Sequence, residues 1–425
     1  MEGTQQKNNS LKMEKLQKTV NRLWDRVPHY REKMAQAGVA PSGIRQPEDL
    51  RKLPFTTKQD LRDNYPFGLL ACDRDELLRV HASSGTTGKM TIVAYTKNDL
   101  EAWKDCMASC LAIAGVTPRD TLQVMFGYGL FTGGLGFHYG GEHLGATVIP
   151  SGTGFTERQI QLMQDLGSTA IACTPSYAVH LSEVMAEKRE TMPSPGGHSL
   201  KVAILGAEPW TEALRQTVQA GLGVPALDIF GLSEVMGPGV AIECPCQDGL
   251  HLNENHFIAE IIDPVSGELL PDGEEGELVI TTLTKEALPL VRYRTRDLTR
   301  IVPGTCACGR EGIRIARIRG RSDDMLIIKG VNVFPTQVEA ALGRVAGLSM
   351  NYALEVSEKN YVKDLAVLVE SVSGLGELEM ERLEKETVRA LHEALGLRVT
   401  VKILLPGSLE RFEGKAKRVR VTSGV

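Results

Sequence analysis

The chain has 425 residues, of which 42% are hydrophobic and 24% are charged, and its formal net charge is -5 at pH 7. This balance is typical of a folded globular protein and excludes a disordered chain or a basic nucleic-acid-binding surface. No apolar run reaches the roughly 20 residues of a membrane helix, and the first ten residues lack a signal-peptide core, so we expect a cytoplasmic protein without membrane partners.

The first predicted element is an amphipathic helix over residues 11–38, because apolar residues recur at a 3.6-residue spacing up to Gly38. A loop rich in Ser, Thr and Gly then joins two short strands, 77–81 and 92–95. Buried strands alternating with helices follow, and this alternation predicts a largely parallel α/β sheet. The strands are predicted at 146–150, 170–174, 202–205 and 226–229, and two of the helices at 157–166 and 177–188.

Residues from about 250 to 320 carry short strands and turn signals, which predict a β-rich subdomain. The residues after Asp323 predict a compact α+β unit. Its elements are a strand at 325–328, a helix opening near Pro335, a strand at 365–369, a helix at 377–395 and a strand at 399–404. We therefore predict an α/β protein whose large N-terminal domain, 1–322, has mixed and parallel sheets and whose small mobile lid spans 323–425.

Four of the eight cysteines form two close pairs, Cys244 with Cys246 and Cys306 with Cys308, and His251 follows the first pair. Tetrahedral zinc needs four nitrogen or sulfur ligands, and one cysteine of the first pair together with His251 and the second pair would supply them. Such a site would be structural, since protein fills every position. Reduced thiols without metal are the alternative, because C-x-C spacing is less diagnostic than C-x-x-C.

The segment 83–89 contains two glycines, four hydroxyl side chains and one lysine. Glycines let the backbone approach a polyphosphate, hydroxyls donate hydrogen bonds and lysine neutralises charge. A Walker A loop is excluded, because only two residues separate Gly85 from Gly88 and Met90 follows Lys89. The same composition also occurs in ordinary surface turns, so motifs later in the chain must decide between a phosphate-binding loop and a surface turn.

Five further groups follow this segment in a fixed order. They are Gly206-Ala207-Glu208, Phe230-Gly231-Leu232-Ser233-Glu234, Tyr293-Arg294-Thr295-Arg296-Asp297, Gly320-Arg321-Ser322-Asp323-Asp324 and Gly414-Lys415. Over nearly the whole chain, the set resembles the adenylate-forming superfamily, whose members couple a carboxylate to AMP. Within it, the stretches 53–58, 63–68, 81–89 and 128–136 are most similar to the phenylacetate-CoA ligases. The chain departs from the family pattern at Met90, where that family has proline, and at Phe126-Gly127. These departures leave the exact acyl pocket undetermined.

The resemblance implies a nucleotide site. Its residues would be Ser83, Ser84, Gly85, Thr86, Thr87, Gly88, Lys89, Gly206, Ala207, Glu208, Asp228, Phe230, Gly231, Ser233, Asp297 and Arg321. Asp297 would accept the ribose hydroxyls and Glu234 would hold magnesium against the phosphates. Asp323 would be the hinge of the lid. Lys415 would bind the acid's carboxylate and the α-phosphate, although a solvated basic tail is the alternative without the other motifs.

The resemblance also implies an acyl pocket and a coenzyme A site. The acyl pocket would consist of Tyr128, Phe131, Gly133, Gly134, Ala207 and Pro238. Glycines would make room for an aromatic ring that the aromatic walls contact, although a glycine-rich run is also typical of a flexible loop. After the lid turns, Lys329 and Gly330 would face the pantetheine arm of coenzyme A.

The expected reaction has two steps. The carboxylate of phenylacetate or a related arylacetic acid attacks the α-phosphorus of MgATP and releases pyrophosphate, and the thiol of coenzyme A then displaces AMP. Three alternatives stay open: adenylylation of a deazaflavin coenzyme, loading of an aryl acid onto a carrier protein, and a zinc-containing binding protein with a decayed nucleotide site. The sequence fixes neither the acid nor the oligomeric state, a homodimer included.

Overall fold

The structure is a computed structural model that describes residues 2–83, 90–187, 199–323, 326–328, 331–359, 362–412 and 416–422. The α-helices of these residues are α1 (Glu2–Arg26), α2 (Pro28–Gln36), α3 (Lys58–Asp63), α4 (Lys97–Ile113), α5 (Gly133–Leu144), α6 (Thr156–Asp165), α7 (Pro175–Glu187), α8 (Glu212–Leu222), α9 (Pro335–Leu342) and α10 (Glu377–Leu395). The strands as far as the middle of the chain are β1 (Leu77–Ser83), β2 (Thr91–Thr96), β3 (Thr121–Val124), β4 (Thr147–Ile149), β5 (Ala170–Cys173), β6 (Val202–Gly206), β7 (Ala226–Phe230), β8 (Ala241–Glu243) and β9 (Leu250–Leu252). The later strands are β10 (Phe257–Ile262), β11 (Gly276–Thr282), β12 (Tyr293–Thr299), β13 (Ile301–Val302), β14 (Arg314–Ile315), β15 (Gly320–Arg321), β16 (Leu326–Ile328), β17 (Val331–Val333), β18 (Leu348–Lys359), β19 (Val362–Ser371), β20 (Thr400–Leu404) and β21 (Val419–Thr422).

The chain divides into two compact units, each assembled from separate segments. Unit 1 consists of Met1–Gly152, Ser168–Ala172 and Leu227–Arg317. Unit 2 consists of Thr153–Gly167, Cys173–Ala226 and Ile318–Val425. The predicted domain boundary between residues 322 and 323 stays a prediction.

The N-terminal region of unit 1 contains two helices instead of the single helix predicted for 11–38. Proline lacks an N–H and disfavours the α conformation in the residue before it. Val27 accordingly has φ -119° and ψ 100°, and Pro28 begins α2. The buried face of α1 includes Leu16, Val20 and Leu23, so the predicted packing face is present although the continuous helix is wrong.

The sheets of unit 1 are mixed. Strand β3 pairs in parallel with β4 and β5, which confirms the predicted parallel character of this part. From β7 onward the pairing is antiparallel, through β8, β9, β14 and β13. Strands β10, β11 and β12 form a separate antiparallel ladder. Residues 250–320 are thus rich in strands as predicted, but β9, β13 and β14 extend the sheet of β7 and β8 instead of forming a separate subdomain.

Unit 2 contains β6, helices α6 to α8 and the α+β elements of the C-terminal region. There the strand order is β20-β19-β18-β21, and buried side chains such as Leu354, Val367 and Leu391 form its core. The strands at 365–369 and 399–404 and the helix at 377–395 are confirmed as β19, β20 and α10. The twelve-residue β18 was not predicted. Within the described residues, no helix is both long and apolar enough to cross a bilayer.

Candidate functional site

The paired strands β1 and β2 hold the two ends of the predicted phosphate loop. Ser83 lies directly opposite Thr91 in the antiparallel ladder. Their hydroxyl oxygens are buried and have no hydrogen-bond partner among the described residues. Ser84 to Lys89, six of the predicted nucleotide residues, lie outside the described residues. Two buried hydroxyls that lack a partner at the mouth of a loop are groups that a ligand can satisfy.

The predicted magnesium ligand, Glu234, lies in a 3₁₀ turn over Ser233–Val235, directly after β7 and Gly231. The Ser233 hydroxyl is 3.1 Å from that of Thr132, and the Tyr95 hydroxyl donates to the Ser233 carbonyl over 3.5 Å. Glu234 is 5% exposed, and Lys58 Nζ lies 3.6 Å from its carboxylate. Contacts with Thr132, Tyr95 and Lys58 therefore hold the turn, and the ammonium of Lys58 lies beside its carboxylate.

Sequence reasoning gave no role to Lys58, although it ends the stretch 53–58 on which the family resemblance partly rests. Lys285 was also missed. Its side chain is buried, and its Nζ lies 3.9 Å from the centre of the Tyr95 ring. Burial lowers the pKa of Lys285 to about 8, against the opposing effects of Asp99 and Glu234. A buried ammonium beside acidic groups has no local sequence signal, because its partners come from other elements.

Two further predicted nucleotide residues are buried acids of unit 1. The Asp228 carboxylate lies 3.4 Å from Arg317 Nε. Asp297 belongs to β12, and its N–H donates to the Thr295 hydroxyl over 3.1 Å. The preceding residue, Arg296, has φ +69°, a left-handed conformation that is costly for a residue with a side chain. This backbone strain at Arg296 lies next to the residue predicted to bind ribose.

The predicted acyl segment combines partly exposed aromatic rings with glycines at close backbone approaches. Tyr128 is 37% and Phe131 44% exposed. A Cβ on Gly134 would lie 2.6 Å from the Gly127 carbonyl oxygen, and one on Gly231 would lie 2.6 Å from Pro238. Since real Cβ atoms do not tolerate such distances, these positions require glycine. Gly133 begins α5, beside Thr132 and thus beside the contact with the Ser233 turn.

The predicted residues of unit 2 form two groups. Gly206 ends β6, and Ala207 has φ +75°. Glu208 accepts hydrogen bonds from the N–H of Ser176 at 2.7 Å and from the N–H of Ala416 at 3.0 Å.

In the second group, the Arg321 guanidinium donates to both carboxylate oxygens of Asp323, at 2.8 and 2.9 Å. The predicted nucleotide residue and the predicted hinge residue therefore contact each other. The predicted coenzyme A residues Lys329 and Gly330 lie outside the described residues, as does the predicted catalytic Lys415.

The predicted metal ligands come together in unit 1. The ligand atoms of Cys244, His251, Cys306 and Cys308 all lie within 4.8 Å of one another. The Cys244 and Cys306 sulfurs are 3.6 Å apart, and the Cys308 sulfur is 3.5 Å from His251 Nε2. Tetrahedral zinc, with bonds of about 2.3 Å to sulfur and about 2.0 Å to nitrogen, separates its ligand atoms by roughly 3.5–3.8 Å. The donor set and its spacing therefore fit zinc.

The sequence left open whether Cys244 or Cys246 is the first predicted zinc ligand, and the structure favours Cys244. Cys244 is buried and belongs to the group of four, whereas Cys246 is exposed. Burial raises the pKa of the Cys244 thiol to about 12. Burial also lowers the pKa of His251, with Arg314 acting in the same direction, so the imidazole stays neutral as a metal ligand requires.

Two family models match the chain, one described as AMP-binding enzyme over residues 13–284 and one as AMP-binding enzyme C-terminal domain over 330–421. Phenylacetate-coenzyme A ligase of Escherichia coli (strain K12) is 49% identical over 418 residues, which cover 96% of this chain and 94% of the relative. The enzyme of that description from Thermus thermophilus is also 49% identical, over 96% of this chain and 95% of the relative. The chain belongs to the phenylacetate-CoA ligase family.

A solved structure supports the fold of this phenylacetate-CoA ligase family member. It is 2-hydroxyisobutyryl-CoA ligase in the postadenylation state with 2-HIB-AMP, at TM-score 0.91 and 27% identity, covering 97% of this chain and 89% of that one. The predicted adenylate-forming fold, with its large N-terminal part and small C-terminal part, is confirmed. As a phenylacetate-CoA ligase family member the chain is an ATP-dependent acid–thiol ligase that forms acyl-AMP and transfers the acyl group to coenzyme A.

Proposed function

We propose that this chain activates phenylacetate or a closely related arylacetic acid as its acyl-AMP and transfers the acyl group to coenzyme A. The observation that carries the proposal is the 3.1 Å contact between Thr132 and Ser233. It joins the start of the glycine-rich segment, with its exposed aromatic rings, to the turn that carries Glu234. An aryl group contacting Tyr128 and Phe131 would place its carboxylate beside the residue proposed to organise the phosphates.

The proposed adenylation step brings together two anions, so its main requirement is positive charge near the α-phosphorus. Glu234 would hold magnesium, which supplies charge neutralisation at the phosphates when bound. Lys415 would bind the acid's carboxylate and the α-phosphate, which suits a point charge on a flexible stem. Asp297 would accept the ribose hydroxyls, and the hydroxyls of Ser83 and its loop would donate to the phosphates.

The second step requires a different set of residues, because coenzyme A must reach the acyl carbon after pyrophosphate leaves. We infer that the lid turns about Asp323 and that Lys329 and Gly330 then face the pantetheine arm. The paired side chains of Arg321 and Asp323 support this role, since an ion pair with an exposed carboxylate contributes little and is easily exchanged.

We also propose that Cys244, His251, Cys306 and Cys308 hold one structural zinc ion. The support is the donor set, two thiols and an imidazole buried and a third thiol partly buried, at a mutual spacing that suits tetrahedral coordination. His251 lies in β9, while the second cysteine pair follows β13. Metal analysis after purification without chelator should give about one zinc per chain, and less than about half an equivalent would contradict the assignment.

The test of the catalytic proposal is ATP–pyrophosphate exchange with a panel of phenylacetate, indoleacetate, benzoate and aliphatic acids. Phenylacetate or another arylacetic acid should support the fastest exchange, and release of AMP should then require coenzyme A. Exchange driven best by an aliphatic acid would contradict the proposed substrate class. AMP release that depends on a carrier protein would favour loading of that protein over transfer to coenzyme A. A stable adenylylated deazaflavin would favour adenylylation of that coenzyme. The cytoplasmic location stays a prediction of the sequence, and the oligomeric state stays open.

A further inference from the structure

Two carboxylates of unit 2 bind backbone N–H groups that are distant in sequence. Glu208, just after β6, accepts the N–H of Ser176 with one oxygen and the N–H of Ala416 with the other. Glu339, a buried residue of α9, accepts the N–H of Thr211 at 3.0 Å. One carboxylate from 173–226 therefore holds the C-terminal region, and one carboxylate from the C-terminal region holds 173–226.

Arg418 contacts the Glu339 carboxylate directly and the Glu208 carboxylate through the Ser176 hydroxyl, which donates to Glu208. Its guanidinium lies 3.4 Å from the Ser176 hydroxyl and 3.7 Å from the Glu339 carboxylate. It also packs 4.2 Å from the centre of the Tyr352 ring, and the Tyr352 hydroxyl donates to Glu339 over 3.1 Å. We call Ser176, Glu208, Glu339, Tyr352 and Arg418 the clasp.

The clasp determines where the backbone at Ala416 lies. Hydrogen bonds to a carboxylate are shorter and stronger than neutral ones and have a preferred direction. Both oxygens of Glu208 accept hydrogen bonds from the protein itself, one from the Ser176 N–H and the other from the Ala416 N–H. Ala416 directly follows Lys415 in the sequence, and its N–H belongs to the peptide bond that joins the two residues, so a hydrogen bond to this N–H constrains that peptide bond.

We propose that Glu208 is a positioning residue of the adenylation step, which acts on Lys415 through the Ala416 N–H. The inference rests on the proposed role of Lys415 and differs from the expectation that Glu208 belongs to the nucleotide site. A nucleotide-binding residue would contact the adenylate in both steps, whereas a clasp residue matters only while Lys415 is needed.

The test compares two half-reactions in Glu208→Ala, Glu208→Gln and the control Glu212→Gln, which removes an exposed carboxylate from the first turn of α8. Glu208→Ala should slow ATP–pyrophosphate exchange at least about 10-fold. Formation of the thioester from supplied phenylacetyl-AMP and coenzyme A should change less than about 2-fold, because Lys415 takes no part in that step. Glu208→Gln should lie between, since its amide oxygen can still accept one N–H.

Equal loss in both half-reactions, or no loss in either, would overturn the proposal. Hydrogen exchange supplies a readout that does not depend on activity: the Ala416 amide should exchange faster in Glu208→Ala than in wild type and in Glu212→Gln. Unchanged Ala416 exchange would also overturn it. If the wild type catalyses no ATP–pyrophosphate exchange with any acid, the proposed function fails. Hydrogen exchange of the Ala416 amide then still decides whether Glu208 holds Ala416. Should Glu208→Ala not fold, Glu208→Gln decides the question: it should slow ATP–pyrophosphate exchange more than thioester formation, and equal effects on the two would overturn the proposal.

Discussion

The four-ligand group leads to a stability prediction that separates a metal site from a cluster of reduced thiols. Cys308→Ala removes one of the four ligands while leaving the strands that carry the others unchanged. Cys244 and Cys306 are 62 residues apart in sequence. A bound metal, treated as one cross-link closing a loop of that length, would raise the free energy of the unfolded chain by about 4 kcal/mol. Strand pairing already restricts part of this loop, so we expect Cys308→Ala to lower the free energy of unfolding by about 2–4 kcal/mol.

The measurement is a urea titration followed by circular dichroism, with and without a chelator. The chelator should lower the unfolding midpoint of the wild type to that of Cys308→Ala and should leave the variant unchanged. Cys246→Ala is the matched control, because Cys246 is exposed and stands outside the ligand group. If Cys308→Ala and Cys246→Ala had the same midpoint and the same zinc content, the reasoning from ligand spacing to a structural metal would be refuted.

Three other changes test the remaining assignments. Lys415→Ala should abolish acyl-AMP formation and spare thioester formation from supplied acyl-AMP; equal loss in both assays contradicts its role. Gly134→Ala would place a Cβ 2.6 Å from the Gly127 carbonyl oxygen, so it should cost about 1–3 kcal/mol of stability and raise KM for the acid. Gly43→Ala, with open space around its Cβ, should change neither quantity. Burial lowers the pKa of Lys285 from 10.5 to about 8, so the unfolded chain binds more protons between these values and stability rises with pH there. At pH 7 the free energy of unfolding of Lys285→Met should therefore exceed that of the wild type by about 3 kcal/mol. A difference between the two proteins that does not shrink toward pH 10 contradicts this.

Sequence patterns predicted the elements whose signals are local. Helix α10 begins and ends at the predicted residues, because Gly396, at φ +70°, follows the last of its apolar repeats. The apolar spacing over 11–38 predicted one helix, because this spacing continues past Pro28 and does not reveal the break that proline causes there. Strand β18 was missed because its register shifts between Leu348 and Tyr352, which interrupts the alternation that identifies a strand.

For the candidate site, the sequence predicted the residues that carry recognisable motifs but not the residues that support them. The sequence left one open choice among the predicted zinc ligands, and both the proximity of the ligand atoms and burial favour Cys244 over Cys246. Lys58 and Lys285 were not predicted, because Lys58 contacts Glu234, and Lys285 acts on it electrostatically, from elements remote in sequence. The contact of Glu208 with Ala416 is equally invisible to local patterns, since 208 residues separate the two.

That separation has a consequence for how the protein is made. At a synthesis rate of about 5–20 residues per second, roughly 10–40 s pass between the appearance of Glu208 and that of Ala416. During this interval one oxygen of the Glu208 carboxylate lacks the Ala416 N–H that it binds in the folded chain, whereas Ser176, the partner of the other oxygen, has already been made. A chain cut between residues 322 and 323 would never supply Ala416 to Glu208 or Glu339 to Thr211.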